Sequence, residues 1–438
     1  MRATLTVLTG AVTFAMATPA LAQQATPTVT YIHAGQLLDR PGERPRGQST
    51  VIVRDGKIAA IRDGFVAPEA GATLVDLKDK FVLPGLIDMH VHLLGIGGDP
   101  QRQRLLAINT EAGDDLMYGA GNAKKTLQAG FTTVRDLGGD PRSIRALRDA
   151  IERGDVDGPT VVNAGAAVSV TGGHGDPLNG LAEPYAHAVA AETNNTCDGP
   201  EDCRRAVRRQ VGLGAQVIKF MATGGVLSNV SGGLGRAMEP DEMKAVIDTA
   251  HALGRKVAAH SHAAEGSLAA VNAGVDTIDH GSFLDDATIR AMKARGTWLV
   301  PTMMAPRAAL AQARAGLLPP ATIPKAEAAG AAAMASHKRA IAAGVKVAFG
   351  TDTGVSNHGD NAQEFALMVE AGMTPAQAIR AATVSAAEAL GRTDIGAIAP
   401  GKTADLIAVA GSPLDDVRRL ERVEFVMHKG QVAKEARR

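Results

Sequence analysis

The sequence predicts an α/β protein: a (β/α)8 TIM barrel with a small β-sandwich domain formed by the N- and C-terminal segments. Strand-like and helix-like segments alternate through the middle of the chain, which favours a parallel sheet with helical crossovers. Short β patterns with turn residues occur at both ends. The 438 residues are too many for a minimal module. They suit one large catalytic domain with an appendage, or two domains.

The first 22 residues have the pattern of an export signal. Met1-Arg2 is a short basic start, residues 5–16 are mostly apolar, and residues 20–22 (ALA) fit a small-x-small cleavage site. The apolar stretch is too short to serve comfortably as a permanent membrane anchor. We therefore expect a periplasmic or secreted protein whose mature form has no membrane contact.

The β patterns at the two ends predict one shared domain. Near the N-terminus, two strand patterns flank Asp55-Gly56, a strong hairpin signal. Near the C-terminus, a similar pattern precedes a second turn at Lys429-Gly430. The predicted division is a signal peptide at 1–22, a small β domain at 23–81 and 400–438, and a catalytic barrel at 82–399.

Eight segments between these ends have strand patterns. They are residues 81–92, 132–137, 160–170, 216–221, 256–262, 277–280, 297–303 and 346–352. Helical patterns rich in Ala, Arg and Glu separate them, for example at residues 142–153, 202–213, 240–253 and 374–390. Eight such units in sequence favour a closed barrel, with a doubly wound open sheet as the alternative.

The composition of the chain argues against nucleic acid as a partner. The 46 basic residues balance 46 acidic ones, and aromatic residues make up 3% of the chain. Without a basic cluster interleaved with aromatics, nucleic acid is not an expected partner.

Cys197 and Cys203 are the only cysteines and lie in a loop rich in Asn, Asp, Gly and Pro. In an oxidising compartment a disulfide is favoured over two free thiols.

His90 and His92 form a His-x-His pair at the end of the first predicted barrel strand. Residues two apart on a strand face the same side, and imidazole is a common zinc ligand. Alone, the pair also fits two ordinary polar residues at a strand end. Later strands carry further polar residues at their ends: Lys219, His260, His262, His280 and Asp352. Because the carboxyl ends of barrel strands meet at one face, this set predicts a metal site there.

Lys219 lies between apolar neighbours on an inner strand. Desolvation would depress the pKa of its amine, and a neutral amine can take up carbon dioxide to form a carbamate. The two oxygens and negative charge of a carbamate can bridge two divalent cations. The alternative is a lysine whose charged end reaches a carboxylate.

Four motifs now become informative together. They are FVLPGLIDMHVH (81–92), GFTTVRD (130–136), IKFMATGG (218–225) and PGKTADL (400–406). On these motifs the chain resembles the metal-dependent amidohydrolase superfamily, in its Xaa-Pro dipeptidase- and carboxypeptidase-like branch with a carboxylated lysine. It is also similar to bacterial amidohydrolases that hydrolyse ochratoxin A.

The resemblance implies a site with two divalent metal ions, most simply zinc. His90 and His92 would bind one metal, His260 and His280 the second, and N-carboxylated Lys219 would bridge them. Asp352 would complete the site and move protons. The implied reaction is hydrolysis of an amide bond to a C-terminal amino acid by metal-bound hydroxide. Dipeptides, N-acyl amino acids and ochratoxin A are the implied substrates, and a homo-oligomer, up to an octamer, is the implied assembly.

Other residues have more open interpretations. His174 follows the third strand on a glycine-rich loop and is a candidate donor to the oxyanion or substrate carboxylate; the alternative is a solvent-exposed loop histidine. Arg236 is a candidate clamp for a substrate carboxylate, or a surface arginine. His262 is a candidate support for His260, and Arg135 is predicted to pair with Asp136. The remaining histidines are expected at helix or loop surfaces: His33, His187, His251, His337, His358 and His428.

Two other functions stay open at this point. The same metals could hydrolyse a cyclic amide, a lactone or an organophosphate ester, because the loops that choose the substrate have no readable pattern. A non-catalytic barrel scaffold would require the loss of metal ligands, yet all six expected positions are occupied.

Overall fold

The computed structural model describes residues 28–178, 194–228 and 233–435. The predicted signal peptide lies outside these ranges. None of the helices within them combines the length and the apolar character needed to span a bilayer.

The described part of the chain alternates strands and helices after an all-β start. Its strands are β1 (Val29–Leu37), β2 (Ser49–Arg54), β3 (Lys57–Asp63), β4 (Thr73–Pro84), β5 (Leu86–Val91), β6 (Phe131–Asp136), β7 (Thr160–Asn163), β8 (Val217–Met221), β9 (Lys256–Ala263), β10 (Thr277–Phe283), β11 (Trp298–Val300), β12 (Leu406–Val409), β13 (Phe425–His428) and β14 (Gln431–Lys434). Its α-helices are α1 (Pro100–Asn109), α2 (Ala112–Gln128), α3 (Pro141–Arg153), α4 (Pro200–Gly212), α5 (Pro240–Ala252), α6 (Ala264–Ala273), α7 (Asp286–Arg295), α8 (Met304–Arg314), α9 (Ile323–Ala342), α10 (Gln363–Glu370), α11 (Pro375–Arg380) and α12 (Ala386–Leu390).

The two ends of the chain form one seven-stranded sheet in the order β14-β13-β12-β4-β1-β2-β3. β4 joins the two contributions, because it pairs in parallel with β1 and antiparallel with β12. The predicted hairpin is present between β2 and β3. Asp55 and Gly56 have φ values of 49° and 75°, as a two-residue turn with positive φ at both positions requires.

A closed barrel follows this sheet. β5, β6 and β7 pair in sequence order, as do β8, β9, β10 and β11. Backbone hydrogen bonds from Val168 join the first group to β8. Residues 346–353 lie between β11 and β5 and bond to Leu299 and His90. The barrel prediction is confirmed, and the doubly wound open sheet is wrong because residues 346–353 pair with both β11 and β5, so the series of strands closes on itself.

Local signals set the helix boundaries around the barrel. α3 begins after Asp140, whose side chain accepts a hydrogen bond from the Ser143 N–H, with Pro141 in its first turn. It ends at Gly154, which adopts a φ of 81°. β5, β6 and β8 are buried along their whole length, as expected for parallel strands covered by helices.

The predicted helix 374–390 is interrupted. α11 and α12 are separated by a π-helical turn at Ala381–Ser385. The N–H of Phe349, in the eighth strand, donates to the carbonyl of Ala381 at 3.0 Å. The wider turn therefore offers a carbonyl to the strand that closes the barrel, a tertiary contact that the helical periodicity does not predict.

Cys197 and Cys203 form a disulfide, as predicted. The bond ties the segment before α4 to that helix. Cys197 also pairs by backbone hydrogen bonding with Ser169, whose own N–H donates to Asn195. The covalent link therefore fixes a segment that lies beside the extension of the third barrel strand.

Candidate active site

A cavity of about 360 Å³ opens where the barrel strands end. Its polar lining residues are His90, His92, His174, Asn195, Lys219, His260, His262, His280, Ser282, Thr302 and Asp352. All six predicted metal-site residues and His174 therefore converge on one space. Residues far apart in the sequence meet here because each follows or ends a barrel strand.

His90, His92 and Asp352 form the most compact group in the cavity. Oδ1 of Asp352 lies 3.5 Å from His90 Nε2 and 3.2 Å from His92 Nε2. One potential ligand atom from each of the three lies within 4.8 Å of the others. The Asp352 N–H donates to the His90 carbonyl at 2.7 Å. The strand pairing that closes the barrel thus also brings the carboxylate to the histidine pair.

His260 and His280 form a second imidazole group with His262. The ring centroids of His260 and His280 are 4.4 Å apart, and that of His280 is 5.0 Å from His90. Nδ1 of His280 lies 2.8 Å from Thr302 Oγ1. This contact occupies Nδ1, so Nε2 is the nitrogen of His280 that can bind a metal. His262 makes an equivalent contact from Nδ1 to Ser282 at 2.9 Å.

Lys219 is buried on β8, and its amine donates to Asp279 Oδ2 at 3.2 Å. Burial lowers the pKa of the Lys219 amine, although the Asp279 carboxylate opposes that shift. This is the chemistry that favours a neutral, reactive amine.

The predicted Arg135–Asp136 pair is wrong. The Arg135 guanidinium instead lies 3.2 Å from both carboxylate oxygens of Asp279, across the barrel. Asp136 accepts a hydrogen bond from the Leu93 N–H at 2.7 Å. Neighbours along a strand point to opposite faces, so residues 135 and 136 were poor candidates for a pair.

Burial keeps most of the cavity histidines neutral, which is the metal-binding form. Desolvation lowers the pKa of His90 to about 4, and the pKa values of His260 and His280 to well below the usual range. For His92, burial acts in the same direction, but Asp352 outweighs it and raises the pKa. Burial opposes ionisation of Asp352, yet His90 and His92 lower its pKa, so the carboxylate is charged at neutral pH.

His174 lies close to the second imidazole group. Its ring centroid is 4.4 Å from that of His260. Desolvation lowers the pKa of His174 to about 4. Its Nδ1 is buried and has no hydrogen-bond partner among the described residues. The loop of His174 is held by Asn195, whose amide nitrogen donates to the carbonyls of Ala167 and Gly175.

Gly225 gives a test of the His174 position. A Cβ atom on Gly225 would overlap the His174 ring, so Gly225→Ala should displace the imidazole. Misplacement by about 1 Å can cost about 100-fold in rate, and we expect a fall of that order in kcat/KM with little change in thermal stability. Gly121→Ala is the control, since a Cβ there meets nothing within 4 Å. Unchanged kinetics in Gly225→Ala would argue against a role for His174.

Arg236 is not among the described residues that line the cavity. Its guanidinium lies 3.0 Å from Glu239 Oε2, and its backbone N–H donates to Glu265. A role as carboxylate clamp stays a prediction that this placement does not support.

Three histidines expected at helix or loop surfaces are buried instead: His33 on β1, and His337 and His358 beside the site. His187 lies outside the described residues. His337 Nε2 lies 2.6 Å from the carbonyl of His280, and His358 Nε2 lies 3.1 Å from that of His92. Both His337 and His358 therefore support the backbone of candidate metal ligands. Asp279 was also missed, although a carboxylate between Ile278 and His280 on an inner strand was a readable signal.

The buried His337 side chain is expected to lower the stability of the folded protein in acid. Burial lowers its pKa to about 4, against 6.5 for an ordinary histidine. Between these values the unfolded chain binds a proton that the folded protein excludes, so stability falls as the pH falls from 6.5 towards 4. We expect His337→Gln to remove at most about 3 kcal/mol of this loss. Chemical denaturation of both proteins at pH 7 and pH 4 measures it; equal losses would contradict the prediction.

The donor set fits divalent metal ions. Neutral imidazoles and a carboxylate are ligands that zinc and similar metals prefer. Apart from Lys219, no lysine or arginine is among the described residues that line the cavity. Carboxylation of Lys219 would replace the remaining positive charge with a negative one.

Comparison with known proteins gives the family. Residues 81–434 match the Amidohydrolase family. The chain belongs to this family. Over 425 residues the amidohydrolase is 34% identical to an ochratoxinase from Aspergillus niger, covering 91% of this chain and 85% of the relative.

Solved structures agree with this assignment. A Xaa-Pro dipeptidase with methionine bound in its active site is 36% identical, with a TM-score of 0.87 over 92% of this chain and 99% of the other. A prolidase complexed with N-methylphosphonate-L-proline is 32% identical, with a TM-score of 0.84 over 93% and 100%. The resemblance inferred from the motifs is confirmed. This amidohydrolase is a hydrolase that acts on amide bonds, its family is metal-dependent, and His90, His92 and Asp352 form a candidate metal site.

Proposed function

We propose that this amidohydrolase uses two divalent metal ions to hydrolyse the amide bond to a C-terminal amino acid. Zinc is the metal that best matches its ligands, and dipeptides, N-acyl amino acids and ochratoxin A are the proposed substrates. The observation that carries the proposal is the convergence of two histidine pairs, a buried lysine and an ionised aspartate on one cavity.

Each side chain has a proposed place around the metals. His90 and His92 would hold one ion, His260 and His280 the other, and N-carboxylated Lys219 would contact both. A pair of bound ions supplies Lewis acidity towards a carbonyl oxygen and lowers the pKa of water towards about 7. Asp352 completes the ligand set.

Asp352 is the proposed proton carrier. Its carboxylate is ionised at neutral pH because His90 and His92 lower its pKa, so it can accept a proton from the attacking water. It can then give that proton to the departing amine. Burial of Asp352 limits competition from bulk solvent.

His174 is the proposed donor to the oxyanion or to the substrate carboxylate. Because desolvation lowers its pKa to about 4, the ring is neutral and carries one N–H. The buried Nδ1, which has no hydrogen-bond partner among the described residues, supports an interaction with a bound group.

The apolar part of the cavity supports substrates with an apolar side chain or acyl group. Its apolar lining residues are Leu137, Ala166, Ala167, Pro177, Met221, Val226, Leu227, Pro301, Ala305, Pro306, Ala309 and Val355. The relatives support amino-acid-containing ligands: one structure holds methionine in its active site, and another is complexed with a proline derivative.

The test combines metal analysis with a substrate screen. Purified protein is assayed for bound metal, then offered dipeptides and N-acyl amino acids, ochratoxin A included, while free amino acid is measured. Two ions per chain and release of the C-terminal amino acid would support the proposal, and chelator treatment should abolish the release. Activity only on a lactone, a cyclic amide or an organophosphate ester would replace it.

We also propose export and self-assembly. Residues 1–22 would direct the chain to the periplasm or the exterior, and a disulfide suits such a compartment. The assembly is proposed as a homo-oligomer, up to an octamer. N-terminal sequencing of exported protein and light scattering test the two proposals, and retention of residues 1–22 or a monomer would contradict them.

A further inference from the structure

We propose that Asp279 is a positioning residue that orients both His90 and Lys219 towards the metals, with Arg135 neutralising its charge. This inference rests on the proposed two-metal function. Asp279 does not line the described cavity, so it would act through its neighbours rather than on substrate.

The Asp279 carboxylate contacts both a candidate metal ligand, His90, and the candidate bridging residue, Lys219. Oδ2 of Asp279 lies 2.9 Å from His90 Nδ1 and 3.2 Å from Lys219 Nζ. His90 comes from β5, Lys219 from β8 and Asp279 from β10. All three side chains are buried, so no bulk water replaces these contacts.

The contact to His90 selects which ring nitrogen meets the metal. Nδ1 of His90 faces Asp279, whereas Nε2 faces Asp352 at 3.5 Å. Among the residues that the structure describes, Nδ1 has no hydrogen-bond partner of good geometry, although Asp279 Oδ2 is only 2.9 Å away. A carboxylate behind a ligand histidine fixes its tautomer and ring orientation. A small rotation of the ring would align this contact when Nε2 binds a metal.

The contact to Lys219 fits the carbamate as well as the amine. When the amine forms an N–C bond to carbon dioxide, one proton leaves to water and one N–H remains on Nζ. Asp279 Oδ2 can accept that N–H, as it accepts one from the amine at 3.2 Å. The carbamate oxygens would then point away from Asp279, because the N–H and the carboxyl group lie on different sides of the nitrogen.

Arg135 supplies the positive charge that the buried Asp279 carboxylate needs. The carbamate charge would be balanced by the metal ions, but the buried Asp279 carboxylate beside it would be costly without a counter-ion of its own. The Arg135 guanidinium lies 3.2 Å from both Asp279 oxygens. It is held in turn by the Met89 carbonyl at 2.6 Å and by Thr277 at 3.2 Å. Its fixed position holds Asp279 in place.

The test compares Asp279→Asn with Asp276→Asn. Asp276 starts the same strand region, is partly buried and pairs with Lys256 and His251 away from the cavity. Zinc is titrated into metal-depleted protein against a competing chelator, and the carbamate is observed by carbon NMR after incubation with labelled bicarbonate. For Asp279→Asn we expect zinc binding weakened about 10- to 100-fold and a diminished carbamate signal. Asp276→Asn should match the wild type in both.

Wild-type affinity and carbamate signal in Asp279→Asn would overturn the inference. If that variant fails to fold, nitrogen NMR of the zinc-loaded wild type decides, with His90→Gln used to assign the signal. A His90 ring protonated at Nδ1 supports the inference, and one protonated at Nε2 overturns it. Wild-type protein that binds zinc but releases no amino acid would defeat the proposed function and leave the Asp279 result standing.

Discussion

Replacing Lys219 with alanine should abolish hydrolysis of amide substrates and weaken metal binding by about 100-fold or more. The variant loses a side chain that is proposed to contact both ions. Removal of a residue that only supports a metal ligand already weakens metal binding by about 10- to 100-fold, so removal of the ligand itself should have a larger effect. Zinc titration and kcat/KM on the best dipeptide measure the two effects. Formate or acetate should restore part of the activity, because a small carboxylate can enter the vacated space.

Lys256→Ala is the matched control for this prediction. Lys256 begins the neighbouring strand β9, is half exposed and pairs with Asp276 rather than with the cavity. Its loss should leave metal content and kcat/KM near the wild-type values. Full metal content and full activity in Lys219→Ala would refute the bridging role, whatever the substrate proves to be.

Replacing Asp352 with asparagine should lower kcat by about 100- to 10,000-fold, the range for loss of a positioned general base or acid. The amide keeps the size of the side chain but cannot accept a proton. Steady-state kinetics at saturating zinc isolate the catalytic loss from any loss of metal. We expect a smaller change in KM, since proton transfer rather than substrate binding is removed.

Asp360→Asn is the control for Asp352→Asn, because Asp360 is an exposed aspartate on the following loop. It should behave as the wild type. If Asp352→Asn lost metal but retained its kcat when zinc was restored, Asp352 would be a ligand without a proton-transfer role.

The barrel and the convergence of the candidate ligands on one cavity could be predicted because their signals are local. His90 and His92 lie two residues apart after an apolar run, and His260, His280 and Asp352 each lie at the end of a predicted strand. Strand periodicity and the rule that strand ends meet at one face are sufficient to bring such residues together.

The supporting residues could not be predicted in this way, because their contacts cross the barrel. Arg135 pairs with a residue 144 positions away, and His337 reaches His280 from a helix 57 positions later. Neither the spacing of apolar residues nor the local composition indicates a contact between residues so far apart in the sequence. The contact of Arg236 could not be predicted either. Its guanidinium pairs with Glu239, the residue that caps the next helix, instead of facing the cavity.

Backbone strain at the site also lies beyond sequence patterns. His280, Thr302 and Asp352 adopt φ values of 73°, 48° and 59°, a region that costs non-glycine residues about 1–3 kcal/mol each. The hydrogen bonds of these residues to one another and to the barrel hold them there. The geometry of the candidate metal site therefore depends on the whole closed barrel rather than on any one strand.

The sheet shared by the two ends of the chain has a consequence for the order of synthesis. The second half of β4 pairs with β12 (Leu406–Val409), and β5 needs residues 346–353 as its second neighbour. A ribosome delivers β12 only after the whole barrel segment that follows β4 has been made. The sheet cannot close before β12 emerges, and the barrel cannot close before residues 346–353 emerge, so the nascent chain stays incompletely folded until these late segments have been made. A chain in that state can still be threaded through a translocation channel.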